Sequence, residues 1–217
     1  MIAIVDYGVG NLFSLTASLN YLGIANKITA DQDELHKAER IILPGVGAFG
    51  DAAAKLRAAG LDQFLCEQAH SGKPLLGICL GMQLLFEKSY EYGEHQGLGL
   101  IKGEIRPLQG EIPTDLQIPH IGWNDIRVID WHPLLKNSKA GDYFYFVHSY
   151  YAADCAESLL AVAEYGIEVP AFVASGSVMG SQCHPEKSGK AGLALLTAFN
   201  EFSYNHKGGR LWKSFRR

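Results

Sequence analysis

Apolar residues recur through the first ninety or so positions as short unbroken runs: Ile2-Ala3-Ile4-Val5, a stretch near Ile28, Arg40-Ile41-Ile42-Leu43 and Pro74 to Ile78. A strand buried on both faces reads as such a run, and helical segments between successive runs are the crossovers of a parallel sheet. The intervening spacing predicts helices from about Asn11 to Leu22, Ala48 to Ala58, Leu61 to Ser71 and Leu80 to Glu87. After Gly97 the texture changes to glycine, proline and β-branched runs: Gly103 to Leu108, Ile121 to Ile129, Tyr143 to Val147, Leu159 to Glu164, Ala171 to Ala174 and Val178 to Gln182. These predict hairpins that extend the sheet, and a last helix is expected from about Gly189 to Tyr204. The fold class implied is α/β, an open, largely parallel sheet with helices on both faces.

At 217 residues and 47% hydrophobic content the chain suits one large domain, read as residues 1–204, followed by a basic and aromatic tail over 205–217. That tail reads as a loosely packed end or as a contact for an acidic partner or phosphate. A formal net charge of −4 argues against a general nucleic-acid binder, which needs a basic surface. The start Met1-Ile2-Ala3-Ile4-Val5-Asp6 lacks the basic opening and long apolar core of a secretion signal, and no apolar run reaches membrane-spanning length. A cytoplasmic location is the expectation. Cys66, Cys155 and Cys183 have no paired metal-ligand spacing and are too sparse for a disulfide framework, so no metal or organic cofactor is indicated.

The fourth cysteine is different. Gly77-Ile78-Cys79-Leu80-Gly81 sets one thiol between two glycines where an apolar run meets a helical one. A strand–turn–helix junction of this kind holds a nucleophile in a strained turn. A helix starting just after the cysteine aims unpaired N–H groups at the sulfur and favours the thiolate. The alternative is a small core residue that happens to lie between glycines.

A cysteine nucleophile needs a base and a group that orients the base. Gln182-Cys183-His184-Pro185-Glu186 supplies both: in an extended segment His184 and Glu186 share a face, and Pro185 places the pair at a strand end. An oxyanion needs donors. One is expected from the N–H of Leu80 and a second from Pro44-Gly45-Val46-Gly47, whose glycines make rotation of the Val46 and Gly47 peptides cheap. That loop is expected to act as a switch, its donor turning inward when substrate or a partner favours that conformer. The aromatic run Tyr143 to Phe146 reads as a half-buried strand, and His148-Ser149-Tyr150 at its end offers polar groups to a ligand.

The elbow, extended through Met82-Gln83-Leu84-Leu85-Phe86-Glu87, together with His184-Pro185-Glu186-Lys187-Ser188, resembles the class I, triad-type glutamine amidotransferases. Four further motifs are similar to those of the glutaminase subunits of imidazole glycerol phosphate synthase: Asp6 to Asn11, Pro44 to Phe49, Pro119-His120-Ile121-Gly122-Trp123-Asn124 and Tyr145 to Tyr150. The resemblance covers Met1 to about Tyr204. It implies that Cys79 attacks glutamine, that His184 moves the proton and that Glu186 orients His184. It also implies that Gln83, Glu91 and the backbone of Gly47, His148, Ser149 and Tyr150 hold the amino-acid end, with Glu91 preferred to Glu87. The partner it implies is a (β/α)8 barrel cyclase subunit, met by Gly10, Asn11, Trp123, Asn124 and Lys187, to which ammonia passes by a dry route because ammonium in water is no nucleophile.

From the residues alone, Trp123 reads equally as a core aromatic. Cys183 stands where relatives commonly carry phenylalanine, which bears on packing more than chemistry. The competing functional readings are the glutaminase of another ammonia-channelling synthase and a silent docking subunit that keeps the fold.

Overall fold

The structure, a computed structural model, describes residues 1–203; the tail over 205–217 and the end of the last helix expected at Tyr204 lie outside the described residues. The first half alternates β1 (Ile2–Val5), α1 (Leu12–Tyr21), β2 (Asn26–Thr29), α2 (Gln32–Lys37), β3 (Arg40–Leu43), α3 (Phe49–Ala58), α4 (Leu61–His70), β4 (Leu75–Ile78) and α5 (Leu80–Leu84). The second half is mostly strands: β5 (Phe86–Ser89), β6 (His95–Gln96), β7 (Ile101–Pro107), β8 (His120–Asp125), β9 (Arg127–Val128), β10 (Tyr143–His148), β11 (Tyr150–Ala153), β12 (Leu159–Glu164), β13 (Glu168–Ser175) and β14 (Val178–Ser181). A 3-10 turn at Pro185–Lys187 leads into α6 (Gly189–Asn200).

The main sheet has eight strands in the order β2-β1-β3-β4-β14-β13-β12-β9. The first five are parallel, and β13, β12 and β9 extend it antiparallel. Both faces are covered because neighbouring strand residues point to opposite sides. Ala3 and Val5 pack with Leu35 of α2, Phe49 of α3 and Leu61 of α4. Ile2 and Ile4 pack with Leu15 and Leu19 of α1 and Leu195 of α6. Two smaller sheets, β10-β8 and β11-β7-β5-β6, stand beside the main one.

Three expectations need correction. The helix expected from Leu80 to Glu87 stops at Leu84, because fully buried Phe86 joins β5 and pairs in parallel with Ile101. The single run Ile121 to Ile129 is two strands in different sheets, β8 with β10 and β9 with β12. His184 and Glu186 are not alternate residues of a strand; β14 ends at Ser181, and the 3-10 turn carries Glu186 back to the imidazole.

No helix among the described residues is long and apolar enough to cross a membrane.

Candidate active site

Cys79 sits where β4 becomes α5, with φ 54° and ψ −112°, a conformation that non-glycine residues adopt only when their surroundings impose it. Here they do. The Cys79 N–H donates to Ser181 O at 2.7 Å, so β14 holds the elbow from the side. A Cβ on Gly81 would come within 1.8 Å of Leu43 O, and one on Gly77 within 2.5 Å of Gly81 O. Only glycine fits either place, which is why the thiol is flanked as it is. The helix behind the sulfur has five residues, so its dipole is shorter than the sequence led one to expect.

His184 reaches the same cavity from the end of β14. Its N–H donates to Tyr145 O at 2.9 Å, and its Nδ1–H donates to Glu186 Oε1 at 2.8 Å, with both side chains only 3% exposed. Among the described residues Nε2 is buried with no partner at hydrogen-bond distance, which leaves it as the nitrogen that exchanges a proton with the Cys79 thiol. Burial alone would lower the imidazole pKa; the Cys79 sulfur and the Glu186 carboxylate outweigh it and raise the value to about 10. Base and thiol therefore form a pair poised toward imidazolium. Gln182 Nε2 and Val147 O approach Cys79 Sγ, each at 3.9 Å. Cys183 points the other way into the core, with Ser181 Oγ 3.2 Å from its sulfur.

A cavity of about 390 Å³ opens between these groups. It is lined by Cys79, His184, Leu80, Val46, Gly47, Gln83, Glu91, His148, Ser149 and Tyr150, so ten of the residues singled out from the sequence meet there. Pro119 and Val147 also line it and carried no signal of their own in the sequence. Glu186 stands behind His184. Between it and the loop lies a void of about 10 Å³ bordered by Asn11, Pro44 and Gly45, close to the room of one water.

The loop after β3 is fastened at both ends and open between. Tyr7 Oη donates to Pro44 O at 2.8 Å, and the Phe49 N–H that opens α3 donates to Glu91 Oε2 at 2.5 Å. Val46 is 41% exposed, Gly47 has φ +94°, and a Cβ on Gly47 would meet nothing within 4 Å. Glu91 lies in the turn after β5, not on a helix face. Burial raises its pKa against the Phe49 N–H and His95, which lower it. Glu87, on β5, is turned away and accepts from the Gly103 N–H at 2.9 Å.

Gln83 does not point free into the cavity: its Nε2 donates to Tyr150 O at 3.0 Å and to Gln182 Oε1 at 3.1 Å. The His148 side chain is likewise turned inward, its Nδ1–H donating to Tyr150 O at 2.9 Å, which leaves backbone at 148–150 as the wall.

Of the residues expected to meet a partner, Asn11 caps α1 by accepting from the Ser14 N–H at 3.4 Å, and Gly10 beside it has φ +126°. Trp123 is 55% exposed rather than a core aromatic, edge-on to Tyr145, over which Lys187 Nζ stands 5.5 Å from the ring centre. Asn124 lies on the opposite side of β8 from Trp123 and donates to Glu164 O at 2.8 Å. The structure thus gathers Trp123 and Lys187 on one exposed patch and separates Asn124 from it.

The family model "Glutamine amidotransferase class-I" matches residues 3–201. The curated relatives include the imidazole glycerol phosphate synthase subunits HisH of Bacillus licheniformis and of Listeria monocytogenes serotype 4a. The first is 48% identical over 210 residues, covering 95% of this chain and 99% of the relative. The second is 45% identical over 207 residues, covering 95% and 98%. Among solved structures, a glutamine amidotransferase and PurLQS from Thermotoga maritima each align with a TM-score of 0.71 at 20% identity. They cover 92% of this chain with 100% and 96% of theirs, and at that identity they attest the fold. The chain belongs to the class-I glutamine amidotransferase family, and within it to the HisH subunits of imidazole glycerol phosphate synthase. It is an enzyme subunit of the amidotransferase class, and the subunit names of its relatives imply a partner chain.

Proposed function

We propose that the chain hydrolyses glutamine to glutamate and ammonia and passes the ammonia to a (β/α)8 barrel cyclase. The complex then makes imidazole glycerol phosphate and aminoimidazole carboxamide ribotide in cytoplasmic histidine biosynthesis. Residues 1–204 act as one amidotransferase domain. The observation that carries the reading is His184, bonded to Glu186 through Nδ1, in one cavity with the Cys79 thiol.

The Cys79 proton rests on His184 Nε2, and the thiolate attacks the glutamine side-chain amide carbon. The C=O electron pair moves to the oxygen, which is held by the N–H of Leu80 and by a donor from the Val46–Gly47 loop. Imidazolium then protonates the amide nitrogen, the C–N bond breaks, and ammonia leaves a thioester on Cys79. Water, losing a proton to His184, attacks the thioester and releases glutamate. Glu186 holds the imidazole tautomer throughout. Glu91 faces the substrate ammonium, while Gly47 and the 148–150 backbone face the carboxylate. Gly10, Asn11, Trp123 and Lys187 meet the cyclase, and Asn124 supports that face from behind.

Glutamate release from glutamine, measured with and without a cyclase subunit for wild type and Cys79→Ala, tests the reading. Release that needs the thiol and rises on adding the cyclase is expected. Release surviving Cys79→Ala removes the nucleophile assignment, and its absence under every partner condition leaves a silent docking subunit. Free chain as active as the complex removes the loop switch.

A further inference from the structure

His120 and His148 are both buried, at 2% and 6% exposure, and neither takes part in the chemistry above. They face each other across the β8–β10 pair, where the antiparallel register puts His148 opposite His120. His120 Nδ1 lies 3.1 Å from His148 Nε2, and His148 Nδ1 lies 2.9 Å from Tyr150 O. At the far end Asn124 Nδ2 is 3.4 Å from His120 Nε2.

The proton positions follow from one fixed point. A carbonyl oxygen only accepts, so His148 must carry its proton on Nδ1. Burial keeps the ring neutral, holding its pKa down at about 3, so Nε2 is a bare acceptor. His120 must then donate through Nδ1, which leaves its Nε2 to accept from Asn124. The His120 ring is stacked between Phe146 at 5.0 Å and Tyr165 at 3.9 Å between centres, which fixes its plane, and the contacts at Nδ1 and Nε2 select its orientation within that plane. The chain of donors ends on the carbonyl that also receives Gln83, and Gln83 leads through Gln182 to the Cys79 sulfur.

We infer that His120 is a positioning residue: by fixing the His148 tautomer it holds the Tyr150 carbonyl, and so the 148–150 wall of the glutamine pocket, in its binding geometry. The inference rests on the reading of that cavity as the glutamine site. The wall meets the bound amino-acid end in ground state and transition state alike, so loosening it weakens binding uniformly and appears in KM. A fold merely destabilised would lower the active fraction and hence the apparent kcat.

The test is glutamine-dependent turnover of the complex with the cyclase, with ammonia-dependent turnover reporting that the complex is intact. His120→Leu is expected to raise the glutamine KM about tenfold with kcat within a factor of about three, the loss of one buried hydrogen bond. His120→Asn, whose amide N–H replaces the Nδ1 donor, is expected to restore KM. His148→Asn keeps the bond to Tyr150 O but severs His120, so adding His120→Leu to it should change nothing further. An unchanged KM in His120→Leu, or effects of the two substitutions that multiply, overturns the relay. If His120→Leu does not fold, the KM values of His120→Asn and of His148→Asn decide: near wild type for the first and raised for the second is expected, and the reverse overturns it. Cys79→Ala separates the two levels. If it abolishes glutamine turnover while His120→Leu leaves KM unchanged, the relay alone is wrong; if it leaves turnover intact, the site reading and the relay fall together.

Discussion

Two neighbouring turns leave the C-terminal ends of adjacent parallel strands of the main sheet, one after β3 and one after β4, and they are built on different principles. The elbow at Cys79 is wedged: its own first helical turn presses on Gly77, the backbone of Leu43 and Pro44 presses on Gly81, and β14 holds Cys79 itself by its N–H. The Gly45–Ala48 loop is tied at Pro44 and at Phe49, with its exposed middle at a left-handed Gly47. Both are glycine-rich in sequence, yet the elbow uses both its glycines to allow close packing, whereas the loop packs Gly45 against Gly81 N and keeps Gly47 free to rotate. If the proposed roles hold, a site built this way fixes its nucleophile and leaves its oxyanion donor adjustable, which suits a hydrolase that should act only when its product has a destination.

The comparison breaks most readily at the thiol. Cys79→Ala is expected to lower glutamine hydrolysis by about a thousandfold or more while leaving ammonia-driven turnover of the complex, measured in parallel, unaffected. Next comes a matched pair of glycine substitutions followed by thermal melting. Gly81→Ala should cost about 3 kcal/mol or more, because Leu43 O cannot move aside. Gly47→Ala should cost about 1–2 kcal/mol, the backbone term alone, and should act mainly on partner stimulation. Equal losses would erase the distinction drawn between the turns.

A third experiment uses pH. His184 in the folded chain has a pKa raised to about 10 by Cys79 and Glu186 against burial, so it contributes stability in full below its unfolded value of about 6.5 and loses it as pH climbs toward 10. Melting temperatures between those limits should fall with pH in wild type and fall less steeply in Glu186→Gln. The smallest expected effect is at the loop's anchor: Tyr7→Phe strips Pro44 O of a buried donor, with a loss of about 1 kcal/mol by denaturant unfolding and a larger share of activity in free chain.

What the sequence disclosed and what it withheld divide along physical lines. The parallel core was legible because strands buried on both faces leave unbroken apolar runs, as Ile2–Val5 and Arg40–Leu43 do. Helix α2 escaped notice because six largely polar residues bury one side chain, Leu35, too few for a period to show. Leu80 to Glu87 misled because Leu84, Leu85 and Phe86 suit a helix face as well as a strand, and only the parallel partner Ile101 decides between them. That Cys79, His184 and Glu186 meet was legible from their motifs, whereas the route by which Glu186 reaches His184 was not: alternation gave the right pairing by the wrong geometry. His120 was visible only as part of a motif, although His120, Gly122 and Asn124 share one side of a strand and that spacing was the available signal. Pro119 and Val147 were likewise visible only as motif members, since lining a cavity leaves no trace in residue type.

The ladder between β4 and β14 joins segments far apart along the polypeptide, with 103 residues separating Cys79 from Gln182. During translation the elbow therefore leaves the ribosome well before the strand that braces it. Without β14 the Cys79 N–H has no Ser181 carbonyl to hold its strained backbone, so the turn takes its final shape only once the second half of the chain has emerged.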